Sequence, residues 1–163
     1  MDEAQPAGAI LLSPIAHVRS ARRDARDDDW ESVTAEIELA PGFAAEALDG
    51  IEEFSHLEVL FHFHLVPDAR IERVARRPRD DARFPRVGIF AQRGSARPNR
   101  LGATIVELRA RAGRVLHVHG LDALDGTPVL DLKPVMVEFL PRAEVRQPAW
   151  TRELMQNYWR ARG

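Results

Sequence analysis

Apolar and polar residues alternate along several short segments of the chain, which is the pattern of half-buried β-strands. The clearest segment is residues 56–66, HLEVLFHFHLV. One face of this segment holds Leu57, Val59, Phe61, Phe63 and Leu65. The other face holds His56, Glu58, Leu60, His62 and His64. Similar runs predict further strands at residues 10–19, 33–39, 87–91, 103–110, 115–121 and 129–132.

Three other segments favour helices. Residues 43–48 follow a Pro-Gly turn, and residues 67–77 carry Ile71 and Val74 three positions apart. A C-terminal helix is predicted at residues 148–162, with its periodicity clearest over residues 150–160. Its stripe consists of Trp150, Leu154, Met155, Tyr158 and Trp159. Since aromatic side chains bury about 150–250 Å² each, we expect this stripe to pack on the main body near Trp30 or on a partner subunit.

The number and spacing of these elements indicate the fold class. About seven short strands with few helices predict a mainly β fold, an antiparallel barrel or sandwich, instead of a doubly wound α/β fold. The Ala112-Gly113-Arg114 turn makes residues 103–121 a hairpin. The sequence has no G-x-G-x-x-G or P-loop pattern. A length of 163 residues is typical of one domain, residues 1–163.

Composition excludes several classes of protein. The chain has no cysteine, which excludes disulfides and thiolate metal sites. No apolar run approaches the ~20 residues of a membrane span. The N-terminal MDEAQPAGAILLSPIAHV has acidic residues and no basic region before its apolar run, so we expect no signal peptide and a cytoplasmic location. The net charge of −2 argues against a general electrostatic affinity for nucleic acid.

Nine arginines lie between residues 73 and 100, whereas Lys133 is the only lysine. This crowding is compatible with a solvated face in which the arginines alternate with Asp80 and Asp81. It is equally compatible with an anion-binding patch for phosphate or RNA, for which the guanidinium group is well suited. The arginines are Arg73, Arg76, Arg77, Arg79, Arg83, Arg86, Arg93, Arg97 and Arg100.

Two polar loops, residues 92–102 and 122–128, each lie between predicted strands, and such loops often carry binding residues. In the first loop, Pro98 restricts Arg97 and stiffens a segment suited to a carboxylate or phosphate. In the second, Asp125-Gly126 is a turn dipeptide, which leaves Asp122 without a role in the turn. Asp131 shares a strand face with Lys133, so the two can form an ion pair.

His62 and His64 form one H-x-H motif, and His117 and His119 form another. If the two predicted strands were neighbours, four imidazoles could bind a metal ion such as zinc or iron. The alternative is that the histidines are polar residues on a strand face. Since neither motif includes a carboxylate, we expect no bound metal.

Three blocks of this sequence resemble the signature motifs of one family. They are FSHLEVLFHFH, GIFAQR with RPNRLG, and GLDALDGTPVLDLKP, preceded by the opening strand PIAHVRS. With these blocks the chain resembles the TsaA-like family, also called the TrmO or YaeB type, over residues 14–134. The resemblance implies a small β-barrel that binds S-adenosylmethionine, forms a homodimer and methylates N6 of threonylcarbamoyladenosine beside the tRNA anticodon.

The resemblance also implies site residues. The cofactor contacts of the family correspond to His64, Arg93, Asp122, Ala123, Leu124 and Asp125. The RPNxxG framework corresponds to Arg97, Pro98, Asn99 and Gly102. The resemblance assigns no catalytic base, for which His62, His64 and an aspartate of the second loop are alternatives.

Departures from the family pattern leave the function open between three alternatives. The usual PRQPG loop after the first strand is absent, and residues 21–43 replace it. The tail after Pro134 also differs. A methyltransferase acting on tRNA or another small acceptor is the first alternative, a binding module for S-adenosylmethionine without catalysis is the second, and a histidine-metal enzyme on a barrel is the third.

Overall fold

The computed structural model describes residues 8–160, and six of its strands close into an antiparallel barrel in the order β1-β2-β7-β6-β3-β8. A separate two-stranded ribbon pairs β4 with β5. The strands are β1 (Ala16–Ser20), β2 (Thr34–Leu39), β3 (His56–His62), β4 (Ala75–Arg76), β5 (Val87–Gly88), β6 (Leu101–Ala112), β7 (Val115–His119) and β8 (Pro128–Pro134). Pairing of Ala16 with Val129 closes the barrel. The predicted fold class, a mainly β antiparallel barrel, is confirmed.

The inward positions of the strands form one hydrophobic core. In β3 every second residue from Leu57 to Phe61 is buried, as the alternation predicts. Because the side-chain period of a strand is two, a shift of one residue in pairing would turn this apolar face toward water. The fully buried side chains of the core are Val18, Ile37, Leu57, Val59, Phe61, Val106, Leu116, Val118, Leu121 and Val129.

Three predicted strands extend at least three residues beyond the observed ones. The segment 10–19 contributes only β1, and Ile10 is 85% exposed. The segment 56–66 ends as β3 at His62, where the N–H of His64 donates to the carbonyl of His62 and turns the chain. Leu65 is consequently exposed instead of lying in the core. The segment 87–91 forms only the two-residue β5 before a 3₁₀ turn.

The predicted helices are shorter than expected or absent. Residues 67–77 form a 3₁₀ turn at Asp68–Arg70 followed by β4. The second half of this segment is a strand instead of a helix because it pairs with β5. Residues 43–48 form a 3₁₀ turn at Ala45–Leu48. The terminal helix, α1, spans only Ala149–Leu154. No helix within residues 8–160 has the length and apolar character needed to cross a membrane.

The long connections of the barrel meet at one end, which we call the site end. The register pairs Ser20 with Ala35, Thr34 with His119, His62 with Leu101 and His17 with Pro128. The loops 21–33, 63–100 and 120–127 therefore emerge on the same side. All ten residues to which the family resemblance assigns a role lie in or beside these loops.

The C-terminal segment, residues 149–159, returns to the site end and pairs with the first of these loops. The N–H groups of Asp29, Trp30 and Glu31 donate to the carbonyls of Asn157, Tyr158 and Trp159 at 3.1, 2.9 and 3.0 Å. Turns follow the helix at residues 155–158, so these carbonyls accept from the loop 21–33 instead of from a continuing helix. The predicted contact of the tail with the loop that carries Trp30 is confirmed.

Candidate ligand site at one end of the barrel

Residues 120–127, the DALD loop, cross the site end and are fixed at both ends. Leu121 and Ala123 are buried and direct the start of the loop into the core. The N–H of Asp125 donates to the carbonyl of Arg22 at 2.9 Å, and the N–H of Gly126 donates to the carbonyl of Val18 at 2.8 Å. The loop is therefore held against β1 and the residues that follow it.

The carboxylate of Asp122 accepts two hydrogen bonds from side chains of distant segments. One donor is the hydroxyl of Thr104 on β6, and the other is the hydroxyl of Tyr158 in the C-terminal segment. Burial raises the pKa of Tyr158, and the charge of Asp122 raises it further. The phenol consequently keeps its proton and acts as a donor at neutral pH.

Asp125 lies at the other end of the DALD loop and is half-buried. Its Oδ1 accepts from the N–H of Ser20 at 3.0 Å, and its Oδ2 lies 3.4 Å from Nε of Arg23. The Arg23 side chain is 81% exposed, so this ion pair contributes little to stability. Within residues 8–160, the N–H groups of Ala123 and Leu124 donate to no protein acceptor. Ala123 is buried, whereas Leu124 is half-buried.

Arg93 reaches the same region from the 63–100 connection. Its exposed guanidinium donates to the carbonyl of Ala103 at 2.6 Å, one residue before the threonine that binds Asp122. Its charge also acts on Tyr158, where it lowers the pKa against the larger effect of burial. Arg93 and Asp122 are thus linked through β6. A pocket shared by Arg93 and Asp125 stays a prediction.

The RPN motif forms a turn that leads the chain into β6. The N–H of Arg100 donates to the carbonyl of Arg97 at 2.9 Å, and Arg100 has a positive φ of 50°. The guanidinium of Arg97 donates to the carbonyl of Gln92 at 2.9 Å, which closes the loop on itself. This motif therefore shapes the backbone, as its stiff sequence predicts.

His64 lies beside the DALD loop after the end of β3. A Cβ atom on Gly126 would lie 3.7 Å from its Nε2. Burial lowers the pKa of His64, and the neighbouring His17 lowers it further. Burial also lowers the pKa of His62, with smaller contributions from Arg100 and His64. The neutral imidazole is therefore the main form of both side chains at pH 7.

The two H-x-H motifs do not meet. Strand β6 lies between β3 and β7, so the predicted strands are not neighbours. His117 and His119 instead face Glu36 and Glu107, at 3.5 and 3.8 Å. Among residues 8–160, no three side chains of histidine, cysteine, aspartate or glutamate form a group suited to a metal ion. The geometry required by the histidine-metal alternative is absent from this part of the chain.

Most of the crowded arginines support the 63–100 connection. Seven of the nine form ion pairs or donate to backbone carbonyls; they are Arg76, Arg77, Arg79, Arg83, Arg93, Arg97 and Arg100. Four of these seven pair with aspartates, which favours the interpretation in which the arginines alternate with acidic residues; they are Arg76, Arg79, Arg83 and Arg100. The predicted ion pair of Asp131 with Lys133 is confirmed at 3.0 Å.

A cavity of about 270 Å³ lies between residues 25–29 and Arg79. It contains none of the six predicted cofactor residues. Sequence reasoning did not assign Thr104 or Tyr158 to the site. Thr104 had a local signal, because it is a polar residue at an inward position of β6. The only sequence signal at Tyr158 was its place in the apolar stripe of the C-terminal helix.

The motifs at the site end also match a known family. The profile of the tRNA-methyltransferase O N-terminal domain matches residues 17–139. The chain belongs to this family. It is 36% identical to a "Probable S-adenosyl-L-methionine-binding protein" of Pyrococcus abyssi, over 84% of this chain and 74% of the relative. It is 40% identical to the tRNA (adenine(37)-N6)-methyltransferase of Escherichia coli, over 70% of this chain and 48% of that enzyme.

Solved structures of the tRNA-methyltransferase O family have the same fold. The crystal structure of TrmO from Pseudomonas aeruginosa matches 90% of this chain with a TM-score of 0.71 and 30% identity. The chain spans 63% of the length of that structure. The barrel of this chain therefore corresponds to one part of the longer proteins of the family.

Proposed function

We propose that this protein binds S-adenosylmethionine at the site end of its barrel and transfers the methyl group to N6 of an adenine in tRNA. The observation that carries this proposal is the meeting of His64, Arg93 and the DALD loop at one end of the barrel. The names of the relatives from Pyrococcus abyssi and Escherichia coli support the cofactor and the reaction.

The donors and acceptors at the site end fit the functional groups of S-adenosylmethionine. The free N–H groups of Ala123 and Leu124 and the guanidinium of Arg93 suit its carboxylate. The half-buried carboxylate of Asp125 suits its ammonium group or ribose hydroxyls. When bound, the cofactor supplies an electrophilic methyl group. Loss of this methyl group converts the sulfonium of the cofactor into a neutral thioether.

The protein's own contribution is to position the acceptor and to remove a proton from its nitrogen. His64 is neutral at pH 7 because burial lowers its pKa, so its imidazole can accept that proton. His62 and Asp125 are the alternatives for this role. Asp122 is less suited, because both of its oxygens already accept internal hydrogen bonds.

Calorimetry with S-adenosylmethionine tests the first half of the proposal. Transfer of labelled methyl groups to tRNA from a strain that lacks the methylating enzyme tests the second half. Binding together with label in adenine N6 supports the whole proposal. Absence of binding at millimolar cofactor would contradict it.

A binding protein without catalysis is the second candidate. The chain covers 74% of the archaeal binding protein but only 48% of the bacterial methyltransferase. The larger share, that of the binding protein, favours this candidate. Binding of the cofactor with no transfer to tRNA, or to total small RNA, would favour this candidate.

The expected homodimer and cytoplasmic location belong to the same proposal. Exposed apolar side chains before β1 and after β8 suit a subunit interface; they include Ile10, Leu11, Val137 and Phe139. Burial of such apolar side chains is a main favourable contribution to association. Light scattering coupled to size exclusion would test the dimer, and a monomer at micromolar concentration would contradict it.

A further inference from the structure

The hydrogen bond between Tyr158 and Asp122 joins the C-terminal segment to the DALD loop. We infer that Tyr158 is a positioning residue for the cofactor site: together with Thr104 it holds the Asp122 carboxylate, and the held carboxylate fixes the backbone of residues 122–125 for the cofactor. This inference rests on the proposed function, because it concerns the same site.

The geometry around Asp122 carries the first step. A carboxylate at this position must find donors, because a half-buried charge without them is costly. Its two oxygens accept from Thr104 and Tyr158, which lie on opposite sides of it in sequence. With both oxygens engaged inside the protein, Asp122 has an anchoring role in the loop.

The attachment of Tyr158 carries the second step. Its carbonyl accepts from the N–H of Trp30, and the adjacent carbonyls accept from Asp29 and Glu31. Trp30 is 5% exposed, and the guanidinium of Arg22 stacks on its ring at 3.8 Å. The carbonyl of Arg22 in turn accepts from the N–H of Asp125. The C-terminal segment therefore contacts the DALD loop directly at Asp122. It is also linked to Asp125 indirectly, through Trp30 and Arg22.

The charge pattern carries the third step. Burial keeps the phenol of Tyr158 protonated, and the guanidinium of Arg93 lies close enough to affect it. Tyr158 thus donates to Asp122 and is also within electrostatic range of Arg93, two of the residues to which the resemblance assigns the cofactor.

The variant Tyr158→Phe tests the inference, because it removes one hydroxyl and keeps the ring. We expect affinity for S-adenosylmethionine to fall about 10-fold, the effect of losing one hydrogen bond to a charged group. We also expect faster amide hydrogen exchange confined to residues 120–127 in the protein without cofactor. Thr104→Val should produce the same two changes, since it removes the other donor.

The matched control is Thr151→Val, which removes a hydroxyl of the same segment that donates to the carbonyl of Pro148. It should leave both the affinity and the exchange of residues 120–127 unchanged. Equal affinity and equal exchange in Tyr158→Phe would overturn the inference, as would tighter binding, which would show that Tyr158 blocks the site. If the wild-type protein binds no cofactor, the proposed function fails, whereas hydrogen exchange still decides whether Tyr158 anchors the loop.

Discussion

The ring of Phe61 fills the space in which a side chain on Gly102 would lie. A Cβ atom at Gly102 would come within 2.5 Å of two ring carbons, and Phe61 is fully buried in the barrel. The two residues are also direct partners in the pairing of β3 with β6. This contact joins the FxFH motif to the RPNxxG motif inside the barrel.

The variant Gly102→Ala should lower the free energy of unfolding by about 1–3 kcal/mol, the usual cost of overpacking a core. Urea denaturation would measure the loss. Gly94→Ala is the matched control, because a Cβ there meets nothing within 4 Å, and it should change stability by less than about 0.5 kcal/mol. In a protein that already carries Phe61→Leu, Gly102→Ala should lower the free energy of unfolding by less. An equal loss in both proteins would contradict the contact.

The variant Arg93→Ala should weaken S-adenosylmethionine binding. A lost charged hydrogen bond costs roughly 1.5–3 kcal/mol, which corresponds to about 10- to 150-fold in the dissociation constant. Calorimetry would measure the change, with Arg73→Ala as a control at an exposed arginine of the same connection. Equal affinities of the wild-type protein and Arg93→Ala would exclude Arg93 from the site.

His64 should make stability depend on pH. Because its pKa is lower in the folded protein than in the unfolded chain, the unfolded state binds more protons below about pH 6.5. Stability should therefore be complete above that pH and fall as the pH decreases through the folded pKa. Urea denaturation at about pH 5.5 and about pH 7.5 would give the free energy of unfolding at each pH. The difference between the two values should be smaller in His64→Gln than in the wild-type protein. His56→Gln, at the exposed start of β3, is the control.

Removal of residues 148–163 should lower the melting temperature. The ring of Phe84 lies 6.5 Å from that of Trp150, so the deletion should expose it together with Trp30. At about 25 cal/mol per Å² of apolar area, the lost burial should lower the free energy of unfolding by several kcal/mol. Differential scanning fluorimetry would measure the shift. Glu153→Gln breaks only an exposed ion pair with Arg83 and should leave the melting temperature unchanged. A truncated protein that melts like the wild type would refute the packing of the tail.

The strand pattern was the most predictable part of the fold. The alternation from His56 to His62 identified the buried face correctly, because period two is a local property of the chain. The same alternation continued to Leu65, and the predicted strand was too long there. The turn at His64 depends on the hydrogen bond of its N–H to the carbonyl of His62, which has no signal in hydrophobicity.

The mainly β class, the stiff RPN turn, the Asp-Gly turn and the family could all be predicted from the amino-acid sequence. The two turns depend on neighbouring residues, whose geometry follows from local sterics. The separation of the two histidine pairs by β6 and the hydrogen bond from Tyr158 to Asp122 became evident only from the folded chain. Those relationships depend on strand order and on contacts between segments far apart in the chain, which no local pattern of apolar and polar residues records.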